Sequence, residues 1–225
     1  MSLRIHAQLS GICVSTSRVE GFWVPEPITF DVFFDYTCPY VYRMARLLDG
    51  VRHSGERDFK SGWRYFSLTQ VNSNHQGWTV WGAPESEIVR GRTAFRAAEA
   101  ARRQGRFDDL HMPLLDARHR DRLDIDDTAL VERVATRAGL DMDRFREDMA
   151  DPSLIDALAR DHRGAVSEYG VFGTPTLLFA DGTAAYVKLG EGANGPGSLE
   201  VFDRLFSVAA AEPRILEIKR PRRPA

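Results

Sequence analysis

Cysteine is scarce in this 225-residue sequence, which contains only Cys13 and Cys38. Two cysteines cannot build a disulfide framework, and the sequence has no pair of C-x-x-C clusters that would hold zinc. No apolar run approaches membrane-spanning length, and residues 1–16 lack the apolar core of a secretory signal. The sequence therefore predicts a cytoplasmic protein that binds no metal and no membrane.

An excess of either charge is also missing, because 30 basic residues stand against 32 acidic residues and the net charge is -2. A chain without a bulk positive field is not expected to bind nucleic acid. The basic residues that do cluster are predicted to form a tail at residues 212–225. The chain is long enough for one large domain or two small ones.

The most informative stretch is Ile28–Leu48, in which the apolar pattern changes its period. Residues 28–34 are β-branched or aromatic and mostly apolar, which predicts a short buried strand. A helix is predicted after it by apolar residues at helical spacing, namely Val41, Met44, Leu47 and Leu48. Pro39 suits the first helical position, so Thr37 and Cys38 are expected at the cap.

Two interpretations fit Cys38 at this helix start. Backbone N–H groups and the positive end of the helix dipole favour thiolate over thiol, which is typical of a reactive cysteine. Alternatively, Cys38 is a small buried apolar residue that fills a gap at the end of a strand. The order of strand, cysteine, proline and helix favours the reactive cysteine. Cys13 is expected to be structural, because it falls in an N-terminal extension of strands or an arm at residues 1–27.

A second strand is predicted at Lys60–Leu68 from its aromatic and β-forming residues. A strand, a helix and a second strand form a βαβ unit, whose right-handed crossover makes the two strands parallel. Cys38 then lies at the carboxyl end of the first strand, the edge of an α/β sheet where ligands bind. The loop that follows carries Trp78 and Trp81, which either bind a ligand or cap the core.

Residues 85–169 have a helical pattern almost throughout. The apolar stripes predict four or five helices, with Ile88 in the first stripe and Val166 in the last. The arginines from Arg90 to Arg122 are interleaved with acidic residues, which predicts a solvated, salt-bridged face. The chain thus divides into an N-terminal extension (1–27), a core (28–84 and 170–211), an inserted helical domain (85–169) and the basic tail (212–225).

A second informative stretch follows the helices, where Gly173–Thr176 precedes a predicted strand at Thr176–Ala180. An Asp-Gly pair signals a tight turn into Ala184–Leu189, which makes an antiparallel hairpin. A closing helix is predicted at Leu199–Ala210, with four residues facing inward, namely Leu199, Phe202, Leu205 and Phe206.

The two stretches resemble the DsbA family of thioredoxin-fold proteins, in which a helical domain is inserted into the thioredoxin core. The resemblance covers about residues 28–210 and implies an α/β, thioredoxin-like fold with thiol–disulfide oxidoreductase activity at Cys38. It also implies a cis peptide bond between Thr174 and Pro175, whose backbone lies beside the active cysteine and pairs with an extended thiol substrate. The residues predicted to bind this substrate are Pro39, Tyr40, Thr174 and Pro175.

The sequence departs from the DsbA family at Val41, where a dithiol oxidase has its second cysteine. Without that thiol, Cys38 forms a mixed disulfide that the protein cannot resolve internally. The segment C-P-Y-V-Y also resembles the S-P-Y-S segment of kappa-class glutathione transferases and 2-hydroxychromene-2-carboxylate isomerases. In those proteins a serine stands at the position of Cys38 and holds the glutathione thiolate, so the chain falls between the two groups.

Three functions stay open. The first is a monothiol redox protein in which Cys38 attacks disulfides and an external thiol releases the product. The second is a glutathione-dependent transferase or isomerase, and the third is a thioredoxin-fold binding module without catalysis. The expected partner is a thiol or disulfide substrate. No cofactor is required, glutathione is a candidate co-substrate, and a homodimer is left open.

Overall fold

The computed structural model describes residues 16–19, 22–25, 27–212, 214–218 and 220, and it gives only the backbone of the first two ranges. The strands of this part of the chain are β1 (Thr16–Val19), β2 (Phe22–Pro25), β3 (Ile28–Phe34), β4 (Phe59–Tyr65), β5 (Thr176–Phe179) and β6 (Ala184–Tyr186). Its α-helices are α1 (Pro39–Ser54), α2 (Leu68–Val71), α3 (Arg92–Arg103), α4 (Phe107–His119), α5 (Thr128–Arg137), α6 (Met142–Ala150), α7 (Asp156–Tyr169) and α8 (Ser198–Ala209). A 3-10 helix at Pro152–Ile155 precedes α7.

A four-stranded sheet in the order β4-β3-β5-β6 forms the centre of the fold. β3 pairs with β4 in parallel and with β5 in antiparallel orientation, and β5 pairs with β6 in antiparallel orientation. The predicted parallel βαβ unit, the hairpin and the α/β class are therefore confirmed. β1 and β2 form a separate antiparallel pair. The predicted second strand ends at Tyr65 and not at Leu68, because Ser67 caps α2 by accepting a hydrogen bond from Gln70 N.

Both faces of β3 are covered, which explains why its sequence is a nearly continuous apolar run. Phe30 and Val32 belong to a buried cluster with residues of α1 and α8. Phe33 points into a second cluster that includes Ala165 of α7. Each fully buried side chain of this size contributes about 1.5–3 kcal/mol to stability, so β3 is held from both sides. This rigid strand fixes the position of the chain that leaves its carboxyl end.

The helices α3–α7 lie between β4 and β5 in the chain, and they match the four or five helices predicted there. The first of them begins only at Arg92, because Gly91 adopts a left-handed conformation (φ 84°) at its start. Ile88, predicted in the first apolar stripe, lies outside any helix and is 92% exposed. Val166, predicted in the last stripe, is 48% exposed. Both assignments to the apolar faces are therefore wrong.

The prediction of a solvated arginine face is wrong for Arg92 and Arg96, which are 8% and 9% exposed. The Arg92 guanidinium donates hydrogen bonds to carbonyl groups of the preceding loop, those of Ala83, Pro84, Glu85 and Glu87. Arg96 donates to the Glu85 carboxylate and to the Met149 carbonyl. These donors satisfy backbone carbonyl groups of the loop before α3 and of Met149. The loop before α3 is thus wrapped around a buried cation.

The carboxyl-terminal part of the sheet is shorter than predicted, since β5 ends at Phe179 and β6 at Tyr186. Phe202 and Phe206 of α8 are buried as predicted, while Leu199 and Leu205 are half-buried.

No helix among the described residues is long and apolar enough to cross a membrane. Cys13 and residues 221–225 of the predicted basic tail lie outside the described residues.

Candidate active site

Cys38 occupies the N-cap position of α1, with an extended backbone (φ -88°, ψ 117°) and Pro39 as the first helical residue. Its backbone N–H donates to the Asp35 carbonyl at 3.1 Å, which closes a turn after β3. Its side chain makes no capping hydrogen bond, and the first turn of α1 contains no acidic residue. The sulfur therefore stands at the positive end of a sixteen-residue helix without a competing carboxylate in that turn.

The loop before β5 reaches Cys38 because β5 runs antiparallel to β3. Phe33 is paired with Thr176, so the residues before Thr176 lie beside the residues after Phe33. The Thr174–Pro175 peptide bond is cis, the isomer that the resemblance implies. Cys38 Sγ donates a hydrogen bond to the Thr174 carbonyl oxygen at 3.3 Å, across 136 positions of the sequence. The Thr174 hydroxyl is buried and has no partner in the described structure.

An open cleft of about 970 Å³ lies over this cysteine. One wall is formed by Thr37, Pro39 and Tyr40 at the start of α1. The other lining residues come from the segment around α2 with Trp78, from the loop at Phe172–Thr174, and from Tyr186 and Lys188 at the end of β6. Cys38 itself is only 4% exposed. The cleft has the size of a small-molecule site, with the sulfur at its floor.

A buried carboxylate, Asp35, ties two walls of the cleft together. The Thr37 N–H and hydroxyl both donate to Oδ1 at 2.7 Å, and the Leu68 N–H donates to Oδ2 at 2.7 Å. Burial raises the pKa of Asp35, and these hydrogen bonds lower it part of the way back. Asp35 thereby fixes the turn that carries Cys38 against the start of α2.

Charged groups lie along the same cleft. Lys188 Nζ is 5.1 Å from the ring centroid of Tyr40 and 5.3 Å from that of Tyr186. The hydrogen bond to Tyr186 raises the pKa of Lys188, burial lowers it, and electrostatic interactions across the cleft raise it further. Arg90 lines the cleft from the loop before α3.

The structure brings four of the five predicted site residues, Cys38, Pro39, Tyr40 and Thr174, into the lining of one cleft. Pro175 is buried behind Thr174. Val41 is fully buried in the core and does not line the cleft. Trp78 lines the cleft and Trp81 lies 5.3 Å from the ring of His162, while both indoles also pack against the buried core.

Sequence reasoning missed Asp35, Tyr186 and Lys188 at this site, and it assigned Arg90, which also lines the cleft, to a salt-bridged face. Asp35 had a local signal, because an aspartate two residues before a threonine favours a turn in which the carboxylate accepts the N–H of that threonine. Tyr186 and Lys188 had no local signal. They reach the cleft through the pairing of Thr176 with Tyr186 in the β5–β6 hairpin.

Residues 29–204 match the family model described as a DSBA-like thioredoxin domain. Among curated proteins, Na(+)/H(+) antiporter NhaA 3 of Salinispora tropica is 31% identical over 193 residues, which are 84% of this chain and 24% of that protein. The chain spans between about a sixth and a quarter of the length of the curated relatives that it matches.

Two solved structures illustrate the likeness in fold. A thioredoxin-like oxidoreductase from Silicibacter pomeroyi has a TM-score of 0.53 at 24% identity, with 80% of this chain and 86% of that chain covered. A probable DsbA oxidoreductase from Streptomyces coelicolor has a TM-score of 0.54 at 21% identity, with 85% and 94% covered. At these identities the likeness shows the thioredoxin-like fold with its helical insert.

Proposed function

The chain belongs to the DSBA-like thioredoxin family, and from this premise we propose that it is a thiol–disulfide oxidoreductase with Cys38 as its reacting thiol. One observation carries the proposal: Cys38 Sγ lies at the start of α1, 3.3 Å from the Thr174 carbonyl, at the floor of an open cleft. A thiol at a helix N-terminus is the arrangement in which reactive cysteines are found.

The reaction proceeds by thiol–disulfide exchange. The Cys38 thiol, which donates a hydrogen bond to the Thr174 carbonyl, releases its proton to water, and the resulting thiolate attacks one sulfur of a bound disulfide. A bond forms between Sγ and that sulfur as the substrate S–S bond breaks, and the second sulfur leaves as a thiolate that takes a proton from water. The product is a mixed disulfide on Cys38.

Release of this mixed disulfide requires a second thiol from outside the site, because Val41 stands where a dithiol enzyme has its resolving cysteine. An external thiolate attacks the sulfur attached to Cys38, and the bond between that sulfur and Cys38 Sγ breaks as a new disulfide forms and leaves. Cys38 is released as a thiolate and takes a proton from water. Glutathione fits the role of the external thiol, and we propose it together with a cytoplasmic setting, where such thiols are present. The antiporter named among the relatives is a protein several times longer, and ion transport is not part of this proposal.

A second candidate is glutathione-dependent transfer or isomerisation, which the volume of the cleft favours. About 970 Å³ lies at the upper end of small-molecule sites. In this case the Cys38 side chain would hold the glutathione thiolate and would form no bond to it. The third reading, a binding module without catalysis, predicts neither adduct nor turnover.

Intact-mass spectrometry after incubation with glutathione disulfide tests the proposal. We expect one glutathione adduct, retained in Cys13→Ser, absent in Cys38→Ser, and removed by an added monothiol. An unmodified Cys38, or an adduct on Cys13 alone, would contradict it.

Thermal unfolding of Cys38→Ser with reduced glutathione separates the two alternatives. A rise in melting temperature indicates a glutathione site that works without a reacting thiol. No rise, together with no adduct on the unsubstituted protein, leaves the binding module as the remaining reading.

A further inference from the structure

Two cations line the cleft that the exchange reaction does not itself use. Lys188 follows β6 and lies over the rings of Tyr40 and Tyr186, at 5.1 and 5.3 Å from their centroids. Lys188 lines the same cleft as Cys38, and it interacts electrostatically with Cys38 across that cleft. Arg90 contributes the second cation from the loop before α3.

The charge of Lys188 is not cancelled by a carboxylate. In the described part of the chain, Lys188 and Arg90 form no salt bridge within 4.0 Å. Arg43 is the contrast, because it also lies over Tyr40, at 5.4 Å, but pairs with Glu191 at 3.0 Å. Lys188 is held instead by its hydrogen bond to Tyr186 and by the aromatic rings of Tyr40 and Tyr186, which attract a cation without neutralising it.

The acidic residue that lines the cleft is hydrogen-bonded to a residue other than Lys188 or Arg90. Among the described lining residues the only carboxylate is that of Glu87, and it accepts a hydrogen bond from the indole N–H of Trp78 at 3.1 Å. The lining therefore carries two cations and one carboxylate. Behind Thr37, the buried Asp35 carboxylate interacts electrostatically with Arg90, so the inference that follows concerns Lys188 alone.

We infer that Lys188 makes the site selective for disulfides and thiols that carry a negative charge close to the sulfur. The inference rests on the proposed function, because it concerns which substrate Cys38 attacks. When a thiolate attacks an anionic disulfide, like charges approach one another, and a cation beside the sulfur lowers that repulsion. The same cation repels a positively charged substrate.

Lys188 is exposed, so its effect is moderate and falls as salt is added. At low ionic strength, one exposed charge is expected to change the rate by about threefold for each sign of substrate. The ratio of the rates for an anionic and a cationic disulfide should therefore change by about tenfold. A neutral disulfide should be unaffected.

Three small symmetric disulfides test the inference, namely 3,3′-dithiodipropionate (anionic), bis(2-hydroxyethyl) disulfide (neutral) and cystamine (cationic). Adduct formation on Cys38 is followed by mass spectrometry in a Cys13→Ser background at low and high salt. Lys188→Gln is expected to lower the anionic-to-cationic rate ratio about tenfold at low salt only. Lys60→Gln is the matched control, because Lys60 is exposed at the start of β4, at the end of the parallel strands away from Cys38.

The outcomes separate the two proposals. If Cys38 reacts with the neutral disulfide but Lys188→Gln leaves the ratio unchanged, or Lys60→Gln lowers it equally, the inference about Lys188 is wrong and the proposed function stands. If none of the three disulfides modifies Cys38, the proposed function fails and the inference fails with it.

Discussion

His111 is a buried ionisable residue whose protonation opposes folding. It is 2% exposed on α4, its Nδ1 lies 3.0 Å from the Tyr36 hydroxyl, and its Nε2 has no partner in the described structure. Burial, with a smaller contribution from the charge of Arg102, lowers the pKa of His111 from 6.5 to about 3. The folded state therefore keeps the ring neutral, while the unfolded chain takes up a proton as the pH falls below about 6.5.

His111 lowers the free energy of unfolding, and this reduction grows as the pH falls from about 6.5 toward 3. At about 1.4 kcal/mol per pH unit, the loss is about 2 kcal/mol at pH 5 and about 5 kcal/mol at pH 3. His111→Phe keeps an aromatic ring beside Trp63 and Phe34, whose centroids lie 4.2 and 4.9 Å from that of His111. It leaves the Tyr36 hydroxyl without a partner, which costs about 1–3 kcal/mol at every pH. We therefore expect the variant to be less stable at pH 7 and more stable below about pH 5.

Urea unfolding at pH 7, 6, 5 and 4 measures both curves. The quantity to compare is the difference between the two proteins, because carboxylate titrations common to both cancel. A double variant, Tyr36→Phe with His111→Phe, should regain stability at pH 7 and keep the weaker dependence on acid. His53→Gln replaces an exposed histidine and serves as the control. A difference that stays constant from pH 7 to pH 4 would refute the reasoning about His111.

Two further substitutions test the site and its support. Val41→Cys places a second thiol three residues after Cys38, and we expect this variant to release the glutathione adduct without added thiol. Val41→Ala is the control. An adduct that persists equally in both variants contradicts the expectation. Arg92→Met removes the buried donor to the loop carbonyls and is expected to lower the free energy of unfolding by about 2–4 kcal/mol in urea. Arg106→Met, at an arginine whose side chain is 52% exposed, should change it by less than about 0.5 kcal/mol, and equal effects would contradict the role of Arg92.

The elements around Cys38 could be predicted from the sequence because their signals are local. β3 begins and ends at the predicted residues, and α1 begins at Pro39, since a change of period and a proline both act within a few residues. Local signals also placed the hairpin and the closing helix to within a few residues. The resemblance supplied what local signals could not, namely that Thr174 lies beside Cys38.

The parts that could not be predicted depend on contacts between distant residues. An arginine among acidic neighbours favours an exposed face, and only the folded loop shows that Arg92 is surrounded by carbonyl groups. The sequence around Lys188 does not indicate that this residue lies in the same cleft as Cys38. The register of the antiparallel pairs β3–β5 and β5–β6 brings it there. Hydrogen bonds between charged side chains and loop carbonyl groups form only in the folded chain, and the pattern of residues along the sequence does not indicate them.

The 136 positions between Cys38 and Thr174 also impose an order of events on biosynthesis. Ribosomes make a chain from its amino terminus, so β3, α1 and β4 leave the ribosome well before Thr174, whose carbonyl group contacts the sulfur. Until β5 inserts beside β3, the thiol is open to any oxidant that the nascent chain meets. Cys38 is 4% exposed in the folded protein and is therefore more accessible in the nascent chain than after folding. Completion of folding restricts which molecules can reach this sulfur.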